Sequence, residues 1–130
     1  MKKLIIIVSV FAVLLAGMIC EMVFVNDYYS KLQLDLEKVK ESIDLYREDL
    51  DNETTVSLCE NVSKKWEDGK KWLLLIQNHN TVRNFDDKIV SLVEVVKSGN
   101  YNDAVIFVNS AINYIDDVLL DSIPFISNIL

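Results

Sequence analysis

The sequence predicts an all-α protein in which an N-terminal transmembrane helix continues into an antiparallel, up-and-down four-helix bundle. Residues 4–25 form an apolar run in which Ser9 and Glu21 are the only polar side chains. After this run, apolar residues recur at steps of three and four along four segments separated by short polar breaks. This spacing is typical of amphipathic helices with one buried stripe, and short connections favour antiparallel neighbours.

The apolar run is long enough to cross a bilayer. About 20 residues at 1.5 Å rise each span a hydrocarbon core of roughly 30 Å. Lys2 and Lys3 precede the run, so the positive-inside rule predicts a cytoplasmic N-terminus in the cell membrane. We therefore divide the chain into a short N-terminus with a transmembrane anchor, residues 1–25, and an extracytoplasmic helical bundle, residues 26–130. Tyr28 and Tyr29 are expected at the outer headgroup level.

A cleavable signal peptide is the alternative interpretation of this segment. Its apolar core should last about 7 to 15 residues and end at a small-x-small site. Here the run continues through Ile19, and a cut after Ala16 would place Leu14 where a small residue is expected. The pattern therefore favours a retained anchor. Glu21 lies one turn from the outer end and can reach the interface, or it can face a partner helix within the membrane.

The first helix of the bundle is predicted to run on from the anchor to about Leu50. No glycine or proline interrupts its apolar positions, which follow a heptad pattern. They are Val25, Tyr29, Leu32, Leu36, Val39, Ile43, Tyr46 and Leu50. Residues 51–54 form a polar break, in which Thr54 is the expected N-cap of the second helix.

Three further helices follow at the same spacing. The buried row of the second is predicted to be Thr55, Cys59, Val62, Trp66, Gly69, Leu73 and Ile76, and we expect residues 78–80 to end it. The predicted buried row of the third helix is Val82, Phe85, Ile89, Leu92 and Val96, and the C-terminal signal Ser98-Gly99-Asn100 follows it. The fourth helix is capped by Asn100 or Asn102. Its predicted buried row is Tyr101, Val105, Val108, Ile112, Ile115 and Leu119.

The charge of the bundle argues against nucleic acid as a partner. Lys2, Lys3 and Glu21 are the only charged residues before Asn26, so residues 26–130 carry 11 of the 13 basic and 19 of the 20 acidic residues, a net charge of −8. Such a surface repels phosphate backbones. We expect the lipid bilayer itself, and a membrane protein partner or self-association, instead.

The sequence offers no recognisable catalytic or metal-binding constellation, so we predict neither an enzyme nor a cofactor. A di-iron bundle needs Glu-x-x-His motifs on two helices, and this chain has a single histidine. The acidic pairs Asp86-Asp87 and Asp116-Asp117 are weak calcium candidates, because adjacent helical side chains point about 100° apart. Cys59 is predicted to be a small core residue, with an intermolecular disulfide as the alternative.

Four residues remain as candidates for interaction or membrane proximity: Trp72, His79, Phe125 and Ile126. Trp66 belongs to the predicted buried row, whereas Trp72 lies about 120° further round the helix and is a candidate for a boundary or membrane-facing position. His79 is either a lone functional group or a histidine favoured by a helix C-terminus. Phe125 and Ile126 belong to an apolar tail that we expect to lie near the bilayer or across the base of the bundle, unless it is frayed.

Several sequence features together resemble a known family. A lysine-rich start and one span are followed by a heptad helix, a helix centred on Trp66 that leads to Asn78-His79, the hairpin sequence 99–104 (GNYNDA), and the ending Asn128-Ile129-Leu130. In these features the chain is similar to small uncharacterised proteins of anaerobic Gram-positive bacteria, the family of domain of unknown function 4363. The resemblance implies no activity, cofactor or catalytic residue.

The function predicted from these observations is that of a non-enzymatic, single-pass membrane protein whose outer helical bundle binds or supports another membrane protein. A ligand-sensing bundle that acts through a partner is the alternative.

Overall fold

The computed structural model describes residues 1–122 and contains four α-helices in this range. They are α1, Lys2–Leu45; α2, Glu53–Ile76; α3, His79–Lys97; and α4, Tyr101–Ser122. The connections comprise residues 46–52, 77–78 and 98–100. The predicted all-α class and the four-helix bundle are confirmed. The tail that contains Phe125 and Ile126 lies outside the described residues.

Helix α1 runs without a break from the apolar segment into the bundle. Residues 2–24 of this helix are exposed, whereas Val25 and the later heptad positions up to Ile43 are buried. The helix ends at Leu45 and not near Leu50, and Tyr46 is exposed. Leu50 nevertheless packs into the core from the following turn. The predicted extension was therefore five residues too long, because an apolar residue in a tight turn can continue the heptad pattern without continuing the helix.

The start of α2 is set by Asn52 and not, as predicted, by Thr54. The side-chain Oδ1 of Asn52 accepts a hydrogen bond of 2.9 Å from the backbone N–H of Thr55, which is the usual bond of an N-cap. Thr55 is fully buried, and its hydroxyl lies 2.7 Å from the hydroxyl of Ser42 on α1. This buried polar pair joins α1 to α2 beside their connection.

The connection between α2 and α3 is shorter than expected. Helix α2 ends at Ile76, and Asn78 caps α3 by accepting a 2.8 Å hydrogen bond from the backbone N–H of Asn80. His79 is thus the first residue of α3, so its predicted place at a helix C-terminus was wrong. The positive end of the helix dipole does not favour a protonated imidazole there.

The α3–α4 connection follows the predicted signal. Gly99 has a φ of +75°, the left-handed conformation that glycine adopts without strain. The backbone N–H groups of Asn100 and Gly99 donate to the carbonyls of Val95 and Val96, which is a Schellman motif. Asn100 then caps α4 by accepting from the backbone N–H of Asp103, so Asn100, and not Asn102, is the cap.

The helices form a closed square in which each packs on its sequence neighbours and α1 also packs on α4. Neighbouring helices are antiparallel: along α1 and α2, Ser42 pairs with Thr55 at one end and Tyr29 with Gln77 at the other. The other three helix pairs are antiparallel by the same test. The contacts are Glu60–Lys97 and Trp66–Asp86 between α2 and α3, Lys88–Ser110 and Thr81–Tyr114 between α3 and α4, and Asp44–Tyr101 and Gln33–Asp116 between α1 and α4. We call the end from which the apolar segment projects the anchor end, and the end with residues 46–52 and 98–100 the distal end.

The core contains most of the predicted buried positions, including Trp66 and Cys59. The row on α4 is rotated relative to the prediction. Ala104 and Ala111 are fully buried, whereas Tyr101, Val105 and Leu119 are partly buried at its edge. Two alanines allow α4 to approach its neighbours closely, and the heptad count by large residues alone overlooked them.

Candidate membrane-proximal site

Towards the anchor end, each helix contributes one aromatic ring to a single layer. The rings are Tyr29 from α1, Trp66 from α2, Phe85 from α3 and Tyr114 from α4. The centroids of Trp66 and Phe85 are 4.6 Å apart, and those of Tyr29 and Phe85 are 5.8 Å apart, both edge to face. Aromatic pairs are most favourable in this edge-to-face geometry, so the layer stabilises the anchor end of the bundle.

The polar atoms of this layer all have partners. Tyr29 donates to Oε1 of Gln77 at 2.9 Å, and Tyr114 donates to the carbonyl of Thr81 at 2.8 Å. The indole N–H of Trp66 donates to Asp86 at 2.8 Å. Burial raises the pKa of Tyr29 well above its usual value, so its hydroxyl stays protonated and remains a hydrogen-bond donor. The layer is therefore a structural element and does not supply a reactive group.

The carboxylate of Asp86 has a second partner in Lys70, whose ammonium lies 3.1 Å away. The same ammonium lies 3.0 Å from Glu67, and the hydrogen bond to Glu67, followed by that to Asp86, raises the pKa of Lys70. The Oδ1 atom of Asp86 thus accepts hydrogen bonds from both Trp66 and Lys70 of α2. Among residues 1–122, no three metal-binding side chains come together, and Asp116 accepts a hydrogen bond from Gln33.

Beside the aromatic layer, α1 and α2 form an open groove of about 370 Å³ at the anchor end. Its lining residues come from one face of each helix: Phe24, Tyr28, Lys31, Leu32, Lys65, Asp68, Gly69 and Trp72. Tyr28 forms the floor, and its hydroxyl donates to the backbone carbonyls of Lys65 and Trp66 at 2.8 and 3.2 Å. Burial and the nearby carboxylates of Asp68 and Glu67 raise the pKa of Tyr28.

The two lysines of this groove are both paired with carboxylates. Lys31 lies 3.0 Å from Asp27, one turn away on α1, and Lys65 lies 2.7 Å from Asp35 on the same helix. With Asp68 close by, the part of the groove nearer the distal end carries charges of both signs. It does not attract anionic ligands strongly.

The family model for a domain of unknown function, DUF4363, matches residues 23–129. The chain belongs to the DUF4363 family. No curated protein and no solved structure matches it. The matched region begins at Val23, so it coincides with the bundle and leaves out nearly all of the apolar segment.

Of the four candidate residues of this DUF4363 chain, Trp72 and His79 lie in the part of the chain that the structure describes. Trp72 is 61% exposed and lines the groove between α1 and α2. His79 is also exposed, at the start of α3. Phe125 and Ile126 fall outside the described residues. Of the predicted set, Trp72 is therefore the residue that the structure places in a defined surface feature.

Seven of the eight groove residues were absent from the predicted set, among them Phe24, Tyr28 and Gly69. Phe24 was assigned to the anchor, Tyr28 to the headgroup level and Gly69 to the buried row of α2. Tyr29, which was expected at the headgroup level and also in the buried heptad row of α1, is fully buried in the aromatic layer. A glycine in the buried row of a helix was the one available signal, since it allows another side chain to approach the backbone closely.

Proposed function

We propose that this DUF4363 protein is a non-enzymatic, single-pass membrane protein whose extracytoplasmic bundle binds or supports another membrane protein. The observation that carries the proposal is the unbroken course of α1. One helix of 44 residues includes both the exposed apolar segment and one quarter of the bundle core. It is the one helix in residues 1–122 that is long and apolar enough to cross a membrane.

A continuous helix holds the bundle in a fixed orientation relative to the apolar segment, because no loop lies between them. A flexible linker would let the bundle rotate freely, whereas a stiff one limits the surfaces that it can present. A bundle held in this way suits a permanent neighbour in the same membrane. The net charge of −8 on residues 26–130 opposes adhesion of the bundle to anionic headgroups, which keeps its sides free for a protein.

Lys2 and Lys3 support a cytoplasmic N-terminus by the positive-inside rule. Single cysteines at Lys2 and at Asn52, each in a chain with Cys20 and Cys59 replaced by serine, test this with a membrane-impermeant maleimide on intact cells. We expect labelling at position 52 and none at position 2 until the cells are opened. The opposite labelling pattern would show that the topology is reversed. The intact mass of the membrane-bound chain shows separately whether the apolar segment is retained.

Crosslinking in native membranes, followed by purification of the full chain and mass spectrometry, tests for the partner. A matched control replaces residues 4–22 by an unrelated apolar span of equal length and keeps the bundle. We expect the same membrane protein with both chains, since the bundle makes the contact. The proposal fails if no membrane protein is captured reproducibly and deletion of the gene leaves every membrane complex unchanged.

A second candidate function is ligand sensing through a partner, and one feature favours it. Helices α3 and α4 border an open groove of about 390 Å³ lined mainly by polar side chains, including Asn84, Asp87, Lys88 and Ser91. Lys88 Nζ donates to the hydroxyl of Ser110 at 2.7 Å across this face. A thermal-shift screen with small metabolites distinguishes the candidates: a specific shift that Asn84→Ala abolishes favours sensing.

A further inference from the structure

The groove between α1 and α2 changes from charged to aromatic along its length. On α2 one row of residues at steps of three and four comprises Lys65, Asp68, Trp72 and Leu75. On α1 the facing row comprises Lys31, Tyr28 and Phe24. Both rows therefore begin with charged side chains on the distal side and become apolar towards the anchor end.

The change from charged to apolar side chains occurs at the same level on α1 and α2. Tyr28 contacts Gly69 and donates to the carbonyl of Lys65. Because α1 and α2 are antiparallel, Phe24 lies one turn nearer the anchor end than Tyr28, level with the residues that follow Gly69. Phe24 and Trp72 accordingly line the same groove.

The length of the apolar segment sets the depth of this level relative to the hydrocarbon core of the bilayer. From Leu4 to Phe24 the helix rises by about 30 Å, which equals the hydrocarbon thickness of a bilayer. With Lys2 and Lys3 at the inner surface, Phe24 comes to the outer boundary of the hydrocarbon. Trp72 then lies at the depth at which tryptophan is enriched in membrane proteins.

The exposed apolar surface of α2 has the same distribution. Its three large exposed apolar side chains, Trp72, Leu74 and Leu75, all lie in the last five residues of the helix. Leu75 is 76% exposed and lies about 4.5 Å nearer the membrane than Trp72 at 1.5 Å per residue. In water this surface would be unfavourable, whereas it matches the change from headgroups to acyl chains.

From these observations we infer that the C-terminal end of α2 is embedded in the outer lipid interface. Trp72 lies among the headgroups and Leu75 at the top of the acyl chains, so the bundle is attached to the bilayer by two helices. The occupant of this surface is lipid, since it is continuous with the span and its polarity changes at the depth set by the span. The inference rests on the membrane anchoring proposed above but not on the protein partner.

Fluorescence quenching by phosphatidylcholine brominated near the top of its acyl chains tests this inference in proteoliposomes of the full chain. The chain has two tryptophans. Trp66 is fully buried, so the difference between wild type and Trp72→Phe isolates Trp72. We expect brominated lipid to remove the Trp72 fluorescence and aqueous acrylamide to leave it largely unchanged.

Two matched controls use the Trp72→Phe background. Phe24→Trp reports whether the span is inserted, and Leu34→Trp reports an exposed position of α1 on the distal side. We expect brominated lipid to quench the first and not the second. Quenching of the Phe24→Trp reporter without quenching of Trp72 would overturn the inference and leave the anchoring intact. If brominated lipid quenched neither the Phe24→Trp reporter nor Trp72, both the inference and the anchoring would be overturned. Protection of Trp72 from brominated lipid and from acrylamide alike would mean that a second copy covers it, which also overturns the inference.

Discussion

The ring of Tyr28 lies directly on Gly69, at a point where α2 has no side chain. A Cβ atom added at Gly69 would overlap the ring and the hydroxyl of Tyr28. The close approach also brings that hydroxyl to the carbonyls of Lys65 and Trp66, to which it donates. One glycine thus determines how closely the helix that emerges from the membrane packs against its neighbour.

Replacement of Gly69 by alanine should destabilise the protein even though alanine favours helices. The helix preference alone would stabilise it by about 1 kcal/mol. Displacement of the Tyr28 ring and loss of its two hydrogen bonds should cost more, so we expect a net loss of about 1–2 kcal/mol. In a Tyr28→Ala background the sign should reverse, because the overlap is gone. Urea unfolding followed by circular dichroism, on all four chains in one detergent, measures this coupling.

Gly17→Ala is the matched control, since a Cβ there meets nothing within 4 Å. We expect it not to lower the free energy of unfolding of the bundle. If Gly69→Ala stabilised wild type as much as it stabilises the Tyr28→Ala chain, the close approach would not matter energetically.

The heptad row of α1 should carry much of the stability of the core. Leu36 and Ile43 are both fully buried, and truncation of either to alanine should cost about 2–5 kcal/mol by leaving a cavity. Leu34→Ala is the control, because Leu34 is 64% exposed and should change the stability by less than about 0.5 kcal/mol. Equal effects at Leu34 and Leu36 in thermal or urea unfolding would contradict this assignment of the buried face.

The periodicity of the sequence was sufficient to predict the buried face of α1, α2 and α3. Burial of one face is the physical cause of a heptad pattern, so Trp66 and Cys59 were placed correctly from spacing alone. Helix ends were predicted less well. Asn52 and Thr54 are both good caps, and the choice depends on which side chain reaches a free N–H, which spacing does not encode.

The candidate site could be predicted only in part for a similar reason. The position of Trp72 round the helix correctly indicated that it lies off the core. That Phe24, Tyr28 and Gly69 lie beside it depends on the relative register of α1 and α2. The turn at residues 46–52 and core packing set that register, and neither follows from a single-helix pattern.

The buried hydroxyl pair between α1 and α2 should be sensitive to single changes. Thr55→Val removes the partner of the Ser42 hydroxyl, which is 6% exposed, and should cost about 1–3 kcal/mol. Adding Ser42→Ala should recover part of that loss, because no buried hydroxyl then lacks a partner. Urea unfolding of the two single variants and the double variant gives the coupling. Strictly additive losses would show that the two hydroxyls do not depend on each other.

The buried thiol of Cys59 should make stability depend on pH in the alkaline range. Burial, followed by the neighbouring charge of Glu60, raises its pKa from 9.0 to about 12. Above pH 9.0 the unfolded chain loses the thiol proton while the folded chain keeps it, so the folded state binds more protons. Stability should therefore fall as the pH rises from 9.0 towards 12, by at most about 1.4 kcal/mol per pH unit from this group.

Cys59→Ala removes this dependence and leaves that of the tyrosines and lysines, which both chains share. We expect the free energy of unfolding of the variant to be lower at neutral pH, because a small cavity replaces the sulfur, and to fall less steeply above pH 9.0. Urea unfolding of both chains at a series of alkaline pH values measures the two slopes. Parallel slopes would mean that Cys59 ionises as readily in the folded protein as in the unfolded one, against the burial seen in the core.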